Sequence, residues 1–156
     1  MVDSHFVMTS LERFKREYQC YFDKDFLITY YLITEALLMA DSRVKNMMVA
    51  TWGKEKRTYK SLNADGTYTE KESNNYIFYP IFYDMDTMFG LDNTGVDKFK
   101  FDAEDTQEDV FNGVDILWNF VRDALRDELA PYFNNLENNN ILVEDNILPY
   151  FNERQG

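Results

Sequence analysis

The sequence predicts an α+β fold in which helices pack on a small antiparallel sheet. Stretches with apolar residues three and four positions apart indicate helices, and shorter stretches rich in aromatic and β-branched residues indicate strands. Of the 156 residues, 45% are hydrophobic and 17% aromatic, and a disordered chain would contain far fewer of both. The length suits one domain, so we expect residues 1–156 to form a single α+β domain.

Two helices are predicted in the first part of the chain. Ser10 is a suitable N-cap for the first helix, which carries one apolar stripe. Asp23 or Asp25 then opens the second helix, from about Phe26 to Ala40. Apolar residues cover most of the circumference of this second helix, which is typical of a helix at the centre of a core.

The sheet is predicted from four stretches, Asn46–Trp52, Thr58–Leu62, Thr67–Glu70 and Tyr76–Tyr83. Turn-forming residues at Asn63–Gly66 join the second stretch to the third as a hairpin. Glu72–Asn75 is predicted to be a polar loop. The last stretch has the strongest strand character, but Pro80 cannot donate a ladder hydrogen bond, so we expect an edge or a bulge there.

The second half begins with a long acidic segment, Asp84–Asn112, which we expect to be a loop that is functional or covered by a partner. A third helix follows at Val114–Leu136, and Pro131 is expected to kink or shorten it. A last helix is predicted at Val143–Glu153.

Composition excludes several classes of function. Sixteen basic and 28 acidic residues give a net charge of −12, which disfavours nucleic-acid binding, and we expect no direct sequence-specific contact with nucleic acid. One cysteine, Cys20, and one histidine, His5, cannot build an internal disulfide, a Cys/His zinc site or a Ser-His-Asp triad. No apolar run approaches the roughly 20 residues of a membrane span, so none is expected.

Two acidic segments could carry chemistry. Asp84 and Asp86 follow the Tyr76–Tyr83 stretch, and an extended backbone would point both carboxylates to one face. With the amide oxygen of Asn46 they could hold Mg²⁺ or Ca²⁺. Asp41 and Asn46 also have the spacing of a kinase catalytic loop, which makes Asp41 the candidate catalytic residue if the chain is kinase-like.

The alternative is that the same residues form a buried polar cluster with no chemistry. In this interpretation Asp41 caps the second helix or its following turn, Lys45 pairs with Asp84 or Asp86, and Asn46 donates to loop carbonyls.

Several segments resemble the large tail proteins of short-tailed bacteriophages, of the knob, hub or muzzle type, including those of crAss-like phages. The resemblance covers roughly residues 25–155 and is carried by the segments DFLITYYL (25–32), DSRVKN (41–46), YPIFYDMDTMFGLDNTG (79–95), FNGVDILWNFVRDALRDEL (111–129) and ILPYFNERQ (147–155). It implies a structural virion component, made in the host cytoplasm and assembled into the tail as a homo- or hetero-oligomer with other tail proteins. Because those proteins are usually longer, it also implies that this chain is a fragment, a cleaved piece or a short paralogue.

The Asp41–Asn46 and Asp84–Asp86 motifs are also similar to those of the spore-coat CotH kinase-like family. That resemblance implies the C-terminal lobe of a CotH-like fold, with Asp41 and Asn46 as the catalytic loop, Asp84 or Asp86 as the second metal ligand, and Mg²⁺-ATP as the ligand. The 40 residues before Asp41 are predicted to be helical, so if the chain is kinase-like we expect the nucleotide-gripping lobe to be absent from this sequence. The alternative to a tail component is therefore a CotH-like phosphotransferase or its inactive relic.

Overall fold

The computed structural model describes residues 10–39, 41–43, 46–86, 88–89, 91 and 116–139. These residues form helices α1 (Ser10–Glu17), α2 (Lys24–Ala36) and α3 (Ile116–Asn138), and strands β1 (Met48–Ala50), β2 (Lys54–Leu62), β3 (Tyr68–Tyr76) and β4 (Tyr79–Ile81). Single 3-10 turns lie at Tyr18–Cys20 and Asp41–Arg43. The predicted α+β class is confirmed.

Helix α2 lies at the centre of the core, as its apolar sequence predicts. Leu27 and Ile28 are fully buried, whereas Phe26 on the first turn is 52% exposed, so one part of the helix surface remains open. Asp23 is the N-cap, because its carboxylate accepts a hydrogen bond from the Phe26 N–H at 3.1 Å. Helix α3 packs beside α2, and the ring of Trp118 stacks on Tyr30 with the centroids 4.9 Å apart.

The strands form two separate two-stranded antiparallel sheets rather than one sheet. Strands β2 and β3 make a hairpin over nine residue pairs, from Lys54 opposite Tyr76 to Leu62 opposite Tyr68. The predicted turn at Asn63–Gly66 is confirmed, and Gly66 supplies its positive φ of 82°. Strands β1 and β4 pair over three residues, with Val49 opposite Pro80.

Two strand predictions were wrong. Glu72–Asn75, predicted to be a loop, lies inside β3, where polar side chains are tolerated because that strand is largely solvent-exposed. The predicted Tyr76–Tyr83 strand is divided, because β3 ends at Tyr76 and β4 begins at Tyr79. The fully buried Ile77 lies between them, so the chain passes into the core before it pairs with β1.

Helix α3 continues through Pro131 to Asn138, so the proline does not end the helix there. Most of the predicted loop Asp84–Asn112 and all of the predicted last helix Val143–Glu153 lie outside the described residues. Within the described part of the chain, no helix combines the length and the apolar character that crossing a bilayer requires.

Candidate functional site

The two predicted site segments meet at one end of the β1–β4 pair. Asn46 comes two residues before β1, and Asp84 comes three residues after β4. Because the two strands are antiparallel, these ends are neighbours, and the Asn46 side-chain Nδ2 donates to the Asp84 carbonyl oxygen at 3.3 Å. The contact is an amide bonded to a loop carbonyl, as the polar-cluster interpretation predicts for Asn46, but it is exposed to solvent rather than buried.

The backbone at Asp84 is not extended. Strand β4 has ended at Ile81, and Asp84 has a φ of 50°, a left-handed conformation that aspartate adopts more readily than most residues. The strand alternation from which we placed Asp84 and Asp86 on one face is therefore absent at this position. Both residues are exposed.

Asn46, Asp84 and Asp86 remain a prediction as metal ligands. Across the described residues, no three acidic, histidine or cysteine side chains come together as a metal site, but the predicted set contains only two carboxylates and one amide. Asp41 lies in the 3-10 turn that follows α2, and its assignment as a catalytic residue likewise stays a prediction.

The most tightly held group in this region is Arg43, which the sequence did not single out. Its side chain is only 2% exposed. Its guanidinium donates from Nε to the Thr34 hydroxyl at 2.8 Å, from Nη1 to the Glu35 carboxylate at 2.5 Å and from Nη2 to the Tyr31 carbonyl at 2.9 Å. It also lies 4.4 Å from the centre of the Tyr31 ring, a cation–π distance. Arg43 therefore fixes the turn after α2 against the helix itself.

The same turn is held by a second buried bond. The Tyr30 hydroxyl donates to the Ser42 carbonyl at 2.6 Å, and both residues are almost completely buried. Burial, reinforced by the Glu35 carboxylate and opposed by the Arg43 cation, raises the pKa of Tyr31 to about 12. Tyr31 is thus a neutral phenol at physiological pH.

A second charged cluster joins α2 to the hairpin and to β4. Arg57 donates to the Asp23 carboxylate at 3.0 Å, to the Glu55 carboxylate at 2.9 Å and to the Tyr79 hydroxyl at 2.8 Å. The Tyr79 hydroxyl in turn donates to Glu55 at 2.9 Å. These hydrogen bonds, first from Tyr79 and then from Arg57, lower the pKa of Glu55. Every charge in this cluster is engaged within the fold.

An open apolar groove lies next to this cluster. It has a volume of about 370 Å³ and lies between the first turns of α2 and the β1–β4 pair, with Phe26, Tyr30, Trp52, Tyr79, Pro80 and Phe82 among its lining residues. Trp52 is 86% exposed, and Phe26 meets the edge of the Tyr79 ring with the centroids 5.0 Å apart. We call this feature the aromatic groove. Its lining suits the binding of another apolar surface better than a polar reaction.

Sequence reasoning missed both arginine clusters and the groove. The one available signal for Arg43 is its position just after an apolar helix, where a charge needs a buried partner or a path to solvent. Comparison with protein-family models, with curated proteins and with solved structures gives no match to this chain.

Proposed function

We propose that this chain is a structural module of a bacteriophage tail, of the knob, hub or muzzle type, that packs against other tail proteins in the virion. The observation that carries the proposal is the aromatic groove with the exposed Trp52 at its edge. An exposed apolar patch of this kind marks a surface that a partner covers. The resemblance of five sequence segments to phage tail proteins names the kind of assembly.

The polar clusters support a static role. The Arg43 guanidinium donates hydrogen bonds to Thr34 and Glu35. The Arg57 guanidinium donates hydrogen bonds to Asp23 and Glu55. Arginines engaged in this way hold elements in register and present few donors to a substrate. The net charge of −12 would help to keep such a module in solution before it meets its assembly partners.

The test is the protein content of purified tails. Particles from cells that produce this sequence would be separated by density centrifugation and digested for mass spectrometry. We expect peptides of this chain to sediment with the other tail proteins, with a host cytoplasmic protein as the control for carry-over. Absence of the chain from clean particles would overturn the proposal.

The second candidate is a CotH-like Mg²⁺-ATP site, and its support is that the fold brings Asn46 and Asp84 into contact. If it exists, Mg²⁺-ATP at millimolar concentration should raise the melting temperature, and Asp84→Asn should abolish the shift whereas Glu70→Gln on exposed β3 should keep it. Ca²⁺ alone, compared with chelator, tests a metal without nucleotide. If neither Mg²⁺-ATP nor Ca²⁺ changes the melting temperature, the second candidate is wrong and the structural role stands.

A further inference from the structure

The β1–β4 pair carries an apolar surface without charge. Residues 46–53 and 74–83 contain no charged side chain, although 28% of the whole chain is charged. Outward-facing apolar side chains include Met48, Val49 and Ile81, each between 43% and 48% exposed, and Trp52 at 86%. Depletion of charge together with exposed Met and aromatic side chains is typical of the core of a protein–protein interface.

One edge of this pair has no partner strand among the residues that the structure describes. Within the described residues, β1 pairs with β4 and with no other strand. The far side of β4 is engaged at one point, because the Phe78 N–H donates to the Tyr21 carbonyl at 2.7 Å, and Pro80 lacks an N–H altogether. The edge of β1 is therefore the one that can accept another strand, and unpaired edges readily pair with a second chain.

Among the described residues, exposed side chains of opposite charge lie at the two ends of the pair. Lys54 follows β1 at one end, and Asp84 and Asp86 follow β4 at the other, beside Asn46. All three charged residues are exposed. Antiparallel pairing of two β1 strands about a two-fold axis at Val49 places Trp52 of one copy opposite Asn46 of the second. The Lys54 end of each copy then meets the Asp84 end of the other.

We infer that this chain forms a symmetric dimer in which β1 pairs with β1 of a second copy, giving a four-stranded sheet in the order β4-β1-β1-β4. The dimer covers Val49 and Trp52 and joins Lys54 of each copy to the acidic end of the other. Because residues 46–52 carry no charge, the strands of the two copies face each other across the two-fold axis without a charged side chain between them, although each copy has a net charge of −12. The inference does not require the tail assignment, although both use the exposed Trp52.

Sedimentation of the full chain at physiological salt tests it. We expect a concentration-dependent dimer, weakened about tenfold or more by Val49→Lys and by Trp52→Lys. Tyr68→Lys places the same change on an exposed aromatic residue of the β2–β3 hairpin and should leave the dimer constant as it is. Circular dichroism would establish that each variant is folded. If Val49→Lys does not fold, the dimer constant of Trp52→Lys alone tests the inference.

A charge exchange tests the orientation of the two copies. Lys54→Glu and Asp86→Lys should each weaken the dimer, and the double variant should recover it, because the double variant restores opposite charges across the two-fold axis. A wild-type chain that stays monomeric at concentrations on the order of 100 µM would overturn the inference. Equal dimerisation by Trp52→Lys and the wild type, or no recovery in the double variant, would overturn it as well.

Discussion

At the scale of single residues, Arg43 shows how a buried charge can hold a turn in place. Removing a cation from water costs several kcal/mol, and the cost is offset only when the donors find good acceptors. Arg43 has three such acceptors, all supplied by the last two turns of α2. Arg43 thereby fixes the turn that contains Asp41, and this holds for any role of Asp41.

Arg43→Met should lower the free energy of unfolding by about 2–3 kcal/mol, because it removes the charge-assisted hydrogen bonds to Thr34, Glu35 and Tyr31 while keeping most of the side-chain volume. Urea denaturation followed by circular dichroism would measure the loss. Arg126→Met makes the same change at a side chain that is 75% exposed and should cost at most about 0.5 kcal/mol. Equal losses in the two variants would show that the Arg43 bonds contribute little.

At the scale of elements, sequence patterns predicted the helix starts and the turns, because neighbouring residues determine these features. Asp23 and the apolar run after it located α2, and the turn residues Asn63–Gly66 located the hairpin. The pairing of β1 with β4 joins residues about thirty positions apart, and no local pattern specifies such a partner. For the same reason, the sequence could not show that Tyr76–Tyr83 contains the end of β3 and all of β4, which belong to different sheets.

Asp23 has two tasks that substitution can separate. One carboxylate oxygen caps α2 and the other binds Arg57, which links the helix to the hairpin. Asp23→Ala should cost about 1–2 kcal/mol, because both contacts are lost, whereas Asp23→Asn keeps an oxygen for the cap and should cost about half as much. Thermal unfolding monitored by circular dichroism would measure both.

Asp127→Ala, at an exposed position of α3, is the matched control and should change the melting temperature little. If Asp23→Asn proved as costly as Asp23→Ala, the charge on Asp23 would matter more than the cap.

At the scale of the whole molecule, the acidic composition argued against nucleic acid as a partner, but it did not point to a particular site. The candidate residues Asn46 and Asp84 do meet, because antiparallel pairing of β1 and β4 brings their ends together. The buried position of Arg43 could not be predicted, because its acceptors lie on a helix, eight to twelve residues earlier, and align only after folding. The aromatic groove likewise requires two strands and a helix to assemble before it exists.

A buried tyrosine and a hydrogen-bonded tyrosine make the whole fold sensitive to alkali. The pKa of Tyr31 is raised to about 12 chiefly by burial, and that of Tyr132 to about 12 chiefly by its hydrogen bond to Asp25. Both folded pKa values lie above the ordinary value near 10, so the folded chain favours the neutral phenol. The stabilisation is complete below pH 10 and is lost as the pH rises from about 10 towards 12.

We therefore expect the free energy of unfolding to fall above pH 10, and to fall less steeply in Tyr31→Phe, which cannot ionise. Urea titrations at a series of alkaline pH values would measure the slope. Tyr68→Phe, at a side chain that is 65% exposed, should follow the wild type. An identical slope in Tyr31→Phe and the wild type would contradict the assignment.

The chain contains two tryptophans, and the fold gives them opposite surroundings. Trp118 is 1% exposed in the core, and Trp52 is 86% exposed at the edge of the aromatic groove. An indole in water emits at longer wavelength than one enclosed by apolar groups. The protein therefore carries two indole fluorophores and needs no attached dye. The emission of Trp118 reports whether the core is folded, and the emission wavelength of Trp52 should change when a partner covers the groove.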